Sequence, residues 1–499
     1  MTHRRHISCC KVGGKIARFV DIKKRSAIWY AIDLCDESLV QSLLKRGSDK
    51  RTPDYKDVSP FCLAVTKTPP KIARLILLNS DPDSKKILLE DVALRNRLLC
   101  RAVQASLRDV IALLVAHGAD TNSRNRDGQS LLHQATKKGD REVVQQLLTY
   151  EDISINATYR TLHIAAEYEC TSVAKCLLAK CGIESNARDC HGRTAVHIAA
   201  EYGNKLITRL LLAYGAVDIN ARDANGATAL CLAVKEKHTA AALQILAEDH
   251  ADLNVAGQNG WTALHHAVSV GNIPVACVLL DNDHLNPNLR DDEGWPPLTH
   301  AASNGDLRMV ELLLARTDVQ VNVHQAPPLF HAAKQGHVEV VRRLLSFDTI
   351  DINQQFWNSS PLCVASEIGY PEVTKLLLQH TAPPDTNLKT YMGDTALSLA
   401  AYHGNLVIIK LLQEVNGFDV ATADNFGDTA LCKAARNGHE QIVKRLYRDA
   451  RAKCASDVKG PLKQLSPLEL HCILKDTWMS KATFALGLEL QIARDCFVR

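Results

Sequence analysis

The chain has 499 residues, a net charge of +4, and 46% apolar against 23% charged residues. It is too long for one ordinary hydrophobic core, yet no Pro/Ser/Gly-rich linker divides it, so an array of small units is expected. The composition speaks against disorder and the small charge against a surface that coats nucleic acid, and no run reaches the roughly 18 apolar residues of a membrane helix.

Residues 1–25 carry eight Lys/Arg against one Asp. Lys23-Lys24-Arg25 reads either as a nuclear-import signal or as part of a solvated basic arm. The segment lacks the apolar stretch of a secretory signal. An intracellular protein, cytoplasmic and/or nuclear, is therefore expected, and Asn156-Ala157-Thr158 and Asn358-Ser359-Ser360 are not read as glycosylation sites.

From Ser26 a repeat sets in, with thirteen helix-opening origins at Ser26, Ser59, Arg97, Ser130, Arg160, Thr194, Thr228, Thr262, Pro296, Pro327, Ser360, Thr395 and Thr429. Most steps are 33 to 35 residues. Five positions after every origin stands alanine, from Ala31 to Ala434, and seventeen positions after it Leu or Ile, from Leu43 and Ile76 to Leu446. Stacked units explain both rows: one helix packs so closely on its neighbour that only a methyl fits, while a second helix buries a leucine. In "DCHGRTAVHIAAEYGNKLITRLLLAYGAVDIN", Asp189 to Asn220, Gly192 supplies a left-handed turn position, Thr194 caps a helix, and Gly203 separates the two helices.

The strings "GRTAVHIAA", "GWTALHHAV" and "GDTALSLAA" resemble the ankyrin signature Gly-x-Thr-Pro-Leu-His-x-Ala-Ala, and the resemblance extends over about 425 residues. It implies an all-α ankyrin-repeat solenoid, in which stacked helix pairs carry β-hairpin fingers and bind other proteins. Residues 26–450 would form the array, 1–25 a basic N-terminal segment and 451–499 a C-terminal cap or tail. The steps into Arg160 and Pro327, 30 and 31 residues, predict two shortened fingers, and the step of 38 into Arg97 predicts an insertion around "DPDSKKILLED".

Sixteen cysteines raise the question of zinc or disulfides. No CxxC occurs, and Cys170, Cys176, Cys181 and Cys190 have no ligand spacing. Cys62, Cys100, Cys231, Cys363 and Cys432 stand three positions after their origins, where other copies have His133, His163, His197 and His265. All nine are read as packing residues, with no metal and no cofactor. Enzymatic signatures are also missing: Gly13-Gly14-Lys15 lacks the rest of a phosphate loop, His439-Glu440 lacks a second histidine, and no Gly-x-Ser-x-Gly occurs. A non-enzymatic protein is expected.

Past about Asp449 the period fails. "LSPLELHCIL" opens like a helix, with Ser466 as N-cap and Pro467 at its first turn. It reads as a degenerate cap of the array, or resembles the first helix of an F-box. Phe484, Leu486, Leu488, Leu490 and Ile492 alternate with the period of a strand.

Candidate partner-binding residues come from the finger tips. Counted from Ser360, Asn358 takes the left-handed turn position and Phe356-Trp357 the tip. The next two tips carry Tyr391-Met392 and Asn425-Phe426, whereas earlier tips are polar or small. At a repeat spacing of about 10 Å these residues make a strip about 20 Å long. Either Phe356, Trp357, Tyr391, Met392 and Phe426 face water as an interface, or their rings fold back onto neighbouring hairpins. Trp261 and Trp295, each after a finger glycine, read as structural. The expected function is a monomeric scaffold or adaptor that binds a protein partner, with no direct nucleic-acid or membrane contact. Two alternatives are a transcription coregulator bound to a DNA-bound factor and a ubiquitin-ligase substrate receptor working through the F-box-like segment.

Overall fold

The computed structural model describes residues 20–456, apart from 22, 51, 55–57, 67–68, 81, 155–160, 181 and 416–418. The F-box-like helix and the alternating segment at 484–492 lie outside the described residues. Among the described residues thirteen helix pairs follow one another, from Ala27–Asp33 and Glu37–Lys45 to Ala430–Arg436 and Glu440–Ser456, and every described origin opens or lies within one of them. The pairs fall into two compact units, the first holding the copies from Ser26 to Thr228 and the second those from Thr262 to Thr429.

Helices of seven or eight residues, such as Ala263–Val270 and Pro297–Asn304, are too short to persist alone. Their ends are therefore specified residue by residue. The hydroxyls of Ser130, Thr262 and Ser360 accept from the backbone N–H three residues on. Pro297, Pro328 and Pro361 occupy first-turn positions, where no backbone donor is needed. Gly271, Gly305, Gly336, Gly369 and Gly404 close first helices in the left-handed conformation. The second helix then begins at another cap, as where Asp306 accepts from Met309 N.

All thirteen alanines of the row are fully buried. The Leu/Ile row is buried as well, Leu43 being its most accessible member at 7%. Each such leucine contributes roughly 2 kcal/mol of burial.

Two hydrogen-bond ladders that the sequence reading did not foresee run from copy to copy. Asparagines before the fingers reach forward: Asn186 donates to Ala216 O and accepts from Asp218 N, both at 2.7 Å, and Asn288 does the same with Asp318 O (2.7 Å) and Gln320 N (2.8 Å). Residues opening the second helices reach backward to the last carbonyls of the preceding first helix. His337 Nε2 donates to Ser303 O (2.9 Å), Asn405 Nδ2 to Ser366 O (2.8 Å) and His439 Nε2 to Tyr402 O (2.9 Å). These bonds satisfy helix-end carbonyls that have no partner in their own helix.

The expected hairpins are reduced to tight turns. No strand forms among the described residues, and the fingers close by single bridges such as Arg124 with Ser130 and Ala423 with Thr429. A typical tip is Asp291 to Trp295, closed by Asp291 N to Trp295 O (3.1 Å), with the Asp291 carboxylate accepting from Glu293 N and Trp295 N. The copy at Pro327 has only a turn from Val323 to Ala326, as its short step predicts. The other predicted short finger, before Arg160, lies in undescribed residues.

The insertion before Arg97 falls where the step of 38 residues places it. It forms an extra helix, Pro82–Leu88, and the repeat's first helix starts early, spanning Val92–Gln104. The carboxylate of Asp91 accepts from Ala93 N and Leu94 N, so the helix is capped there, upstream of Arg97.

Ala301 lies between the first helices of two neighbouring copies. Ala301→Leu would force extra methylenes into that contact and cost about 1–3 kcal/mol. Because repeats support one another, amide exchange should quicken across Ala263–Leu344 and not only within Pro297–Leu314. Hydrogen exchange of the variant against the wild type checks this, and an effect confined to one copy contradicts it.

Candidate partner-binding site

The finger side of the second unit carries a continuous row of rings. Trp261 packs on His300 at 5.2 Å between centroids, His300 on Trp295 at 5.2 Å, Trp295 on His331 at 4.2 Å, and His331 on Phe356 at 5.0 Å. Phe356 also meets Phe330 at 5.3 Å, and beyond it stands Trp357, at 6.1 Å. Trp261 and Trp295 are half-buried in this row and hold the fingers onto the helices.

The tip at Phe356 corrects the sequence reading. Phe356 and Ser359 exchange both backbone hydrogen bonds, at 2.9 and 3.0 Å, so the central residues are Trp357 and Asn358, not Phe356 and Trp357. Both are left-handed, with φ of 51° and 56°, as a two-residue type I′ hairpin requires. The tip thus has one residue fewer than the Asp291 finger, and the shift turns Phe356 back onto Phe330 and His331. Phe356 is hairpin packing. Trp357 takes the place that Asn, Asp or Gly would fill more comfortably.

The other predicted residues stand in solvent. Relative exposure is 85% for Trp357, 74% for Tyr391, 53% for Met392 and 79% for Phe426. The last two tips are tied together: Asn425 N donates to Met392 O (3.0 Å) and Asn425 Nδ2 to Tyr391 O (2.9 Å). Gly393 permits this approach, since at its φ of +83° a Cβ would lie 2.7 Å from Asn425 N. Of the two alternatives for the strip, folding back therefore describes Phe356, and the other four side chains are free to be touched.

Beneath these tips lies an ion cluster that sequence reasoning missed. Lys433 Nζ contacts Asp394 and lies 2.7 Å from Asp424 Oδ2, all three being almost buried. Burial alone would raise the Asp424 carboxyl, but Lys433 and the backbone N–H groups of Asp428 and Phe426 outweigh it and hold it below the usual carboxylate range. Burial likewise works against the Lys433 ammonium, and its two carboxylates more than compensate. The signal was present as a lysine in a first helix, in register with finger aspartates one and five positions before an origin.

Two of the histidines three positions after their origins, His163 and His265, tie one copy to the next. In His265, Nδ1 accepts from Thr262 N at 3.2 Å and Nε2 donates to Trp295 O of the next finger at 3.1 Å. His163 Nε2 reaches Arg193 O in the same way, at 2.8 Å. Cysteine keeps the cap: Thr228 Oγ1 donates to Cys231 Sγ (3.5 Å) and Thr429 Oγ1 to Cys432 Sγ (3.4 Å). Burial pushes the thiols of Cys62, Cys100, Cys231 and Cys363 up, away from thiolate chemistry. Among the described residues, no group of three or more His, Cys, Asp or Glu is placed to hold a metal ion.

At the other end, Arg25 is not part of a free basic arm. Its guanidinium sits 4.1 Å from the Trp29 ring centroid, and its Nε is 3.5 Å from Asp54 Oδ2.

The family described as ankyrin repeats (3 copies) matches the chain at residues 85–159, 162–257, 216–291, 240–324, 283–356, 320–390 and 362–457. The chain belongs to the ankyrin-repeat family. The ankyrin fold makes it a scaffold for protein–protein interaction. The helix pairs at Ser26 and Ser59 precede the matched residues and have the same form. No helix among the described residues is long and apolar enough to cross a membrane.

Two predictions follow from these side chains. Burial lowers the pKa of His265 and of His331 to about 4, with the charges of His300 and Lys334 adding to the effect. The unfolded rings titrate near 6.5, so between these values the unfolded chain binds more protons. Stability should therefore be full above about pH 6.5 and fall toward pH 4. Thermal melting from pH 7.5 to 4 checks this, and His331→Leu should flatten the decline. Separately, packing cysteines predict that EDTA with a reductant leaves the melting midpoint unchanged, whereas loss of a structural zinc would lower it.

Proposed function

We propose that this ankyrin-repeat protein is a non-enzymatic adaptor, working as a monomer, that captures a protein partner on the finger strip of Trp357, Tyr391, Met392 and Phe426. Phe356 supports the strip from behind. The observation that carries the reading is the exposure of four large apolar side chains on three successive tips, a composition typical of interface hot spots. The backbone at Trp357 agrees with it. A tryptophan held at positive φ costs of order 1 kcal/mol, and a residue that pays no such cost would serve a mere turn better.

A coregulator bound to a DNA-bound factor and a ubiquitin-ligase substrate receptor are narrower versions of the same adaptor. Confinement of a tagged protein to the cytosol removes the first. Purification without the adaptor subunit that binds F-boxes removes the second.

The strip is tested by pairing stability with capture. Trp357→Asn should melt at an equal or higher temperature, because asparagine tolerates the left-handed turn, and should lose most of the captured proteins, as removal of an anchor costs 2 kcal/mol or more. Trp261→Ser should lower the melting temperature by several degrees. Tyr168→Ser, an exposed aromatic in the other unit, should leave both quantities unchanged. Undiminished capture by Trp357→Asn and by Phe426→Ser would remove the strip as an interface.

A further inference from the structure

Between the tips at Tyr391-Met392 and Asn425-Phe426 and the helix ends bearing Tyr402 and Arg436 lies a hollow of about 240 Å³. Its walls are the thioether of Met392 and the rings of Tyr402 and Phe426, all exposed to solvent. Its polar side holds Asp394, Asp424 and Asp428 against Lys433 and Arg436. Three carboxylates facing two cations leave one negative charge.

Neither cation has charge to spare. Lys433 lies between Asp394 and Asp424, and the Arg436 fork is engaged by both oxygens of Asp428, with Nη2 to Oδ1 at 2.9 Å. Apolar walls beside residual negative charge suit a side chain with an aliphatic stem and a cationic head. Of the two natural candidates, arginine is the better match: its weakly hydrated planar guanidinium stacks on aromatic faces, whereas an ammonium is compact and strongly hydrated.

The geometry points to this hollow as an anchor pocket for an arginine side chain of the partner protein, its stem against Met392 and its guanidinium over Phe426 or Tyr402, on the side of Asp394 and Asp424, which share one lysine and so carry the unbalanced charge. This rests on the finger-strip reading of the same surface and adds to it the chemistry of the bound residue. It predicts that a partner segment lying across these tips presents an arginine where Met392 and Phe426 diverge, and that raised salt weakens this contact more than the one at Trp357.

The chain offers a local reporter, because it holds four methionines, of which Met309 is fully buried and Met392 lines the hollow. The full chain carrying ¹³C-methyl methionine is titrated with acetyl-Gly-Arg-Gly-amide to millimolar concentration, Met392→Leu giving the assignment. The arginine peptide should shift the Met392 methyl saturably and leave Met309 in place, and the lysine peptide should bind more weakly. Phe426→Ser and Asp428→Asn should each weaken the response at least fivefold, with the unmoved Met309 signal showing that the fold is kept. No saturable shift overturns the proposal. So does an equal response to the norleucine peptide, which would make the hollow simply apolar, or a stronger response to the glutamate peptide, which would make Arg436 an anion site. Trp357 lies outside the hollow and separates the two readings. Loss of capture in Trp357→Asn without an arginine response keeps the strip and removes the pocket's occupant, whereas an arginine response with undiminished capture in both Trp357→Asn and Phe426→Ser removes the strip and keeps the pocket.

Discussion

The contact on which the rest depends is one methyl wide. In every copy the alanine five positions after the origin is buried, and within each unit it lies where neighbouring first helices meet, so that no larger side chain leaves those axes as close. None of these short helices has length enough to hold itself. The leucine row, the caps and the fingers become useful only once the alanine contact has stacked one copy on the next.

Stacking alone would let neighbouring copies slide, and the two hydrogen-bond ladders prevent it. The asparagine ladder joins loop to loop, and the ladder from the second helices binds the last carbonyls of the preceding first helix. On the finger side of the second unit, the rings from Trp261 to Phe356 make a third row, which ends at an exposed tryptophan. The result is a packed base with a few large side chains held out from it, an arrangement that would limit the entropy lost on binding at the proposed strip.

The last two fingers show how polar and apolar groups share that base. Lys433 is buried yet paired twice, so its charge is retained and the tips above it are held in place. Asn425 links one tip to the next, and Gly393 lets them approach. Trp357 is the opposite case, an aromatic in a conformation that favours asparagine or glycine. Strain and exposure together at one side chain are what the proposed interface at Trp357 would account for.

The sequence by itself determined the repeat, its register, the buried rows, the structural role of the two finger tryptophans and the short finger before Pro327. All of these follow from residue size and period, which are local properties repeated many times. Only the tertiary structure decided what depends on contacts between copies. The period placed Phe356 and Trp357 at equivalent tip positions. A one-residue difference in turn length then sent one ring inward and the other out, because the side chain's direction is set by which residues exchange hydrogen bonds. The pairing of Arg25 with Asp54 was unreadable for the same reason, because the partner is fixed by packing between separate segments and spacing along the chain carries no record of it. The triad at Lys433 left a trace in the register of its lysine and two aspartates, but only the structure shows that the three side chains meet.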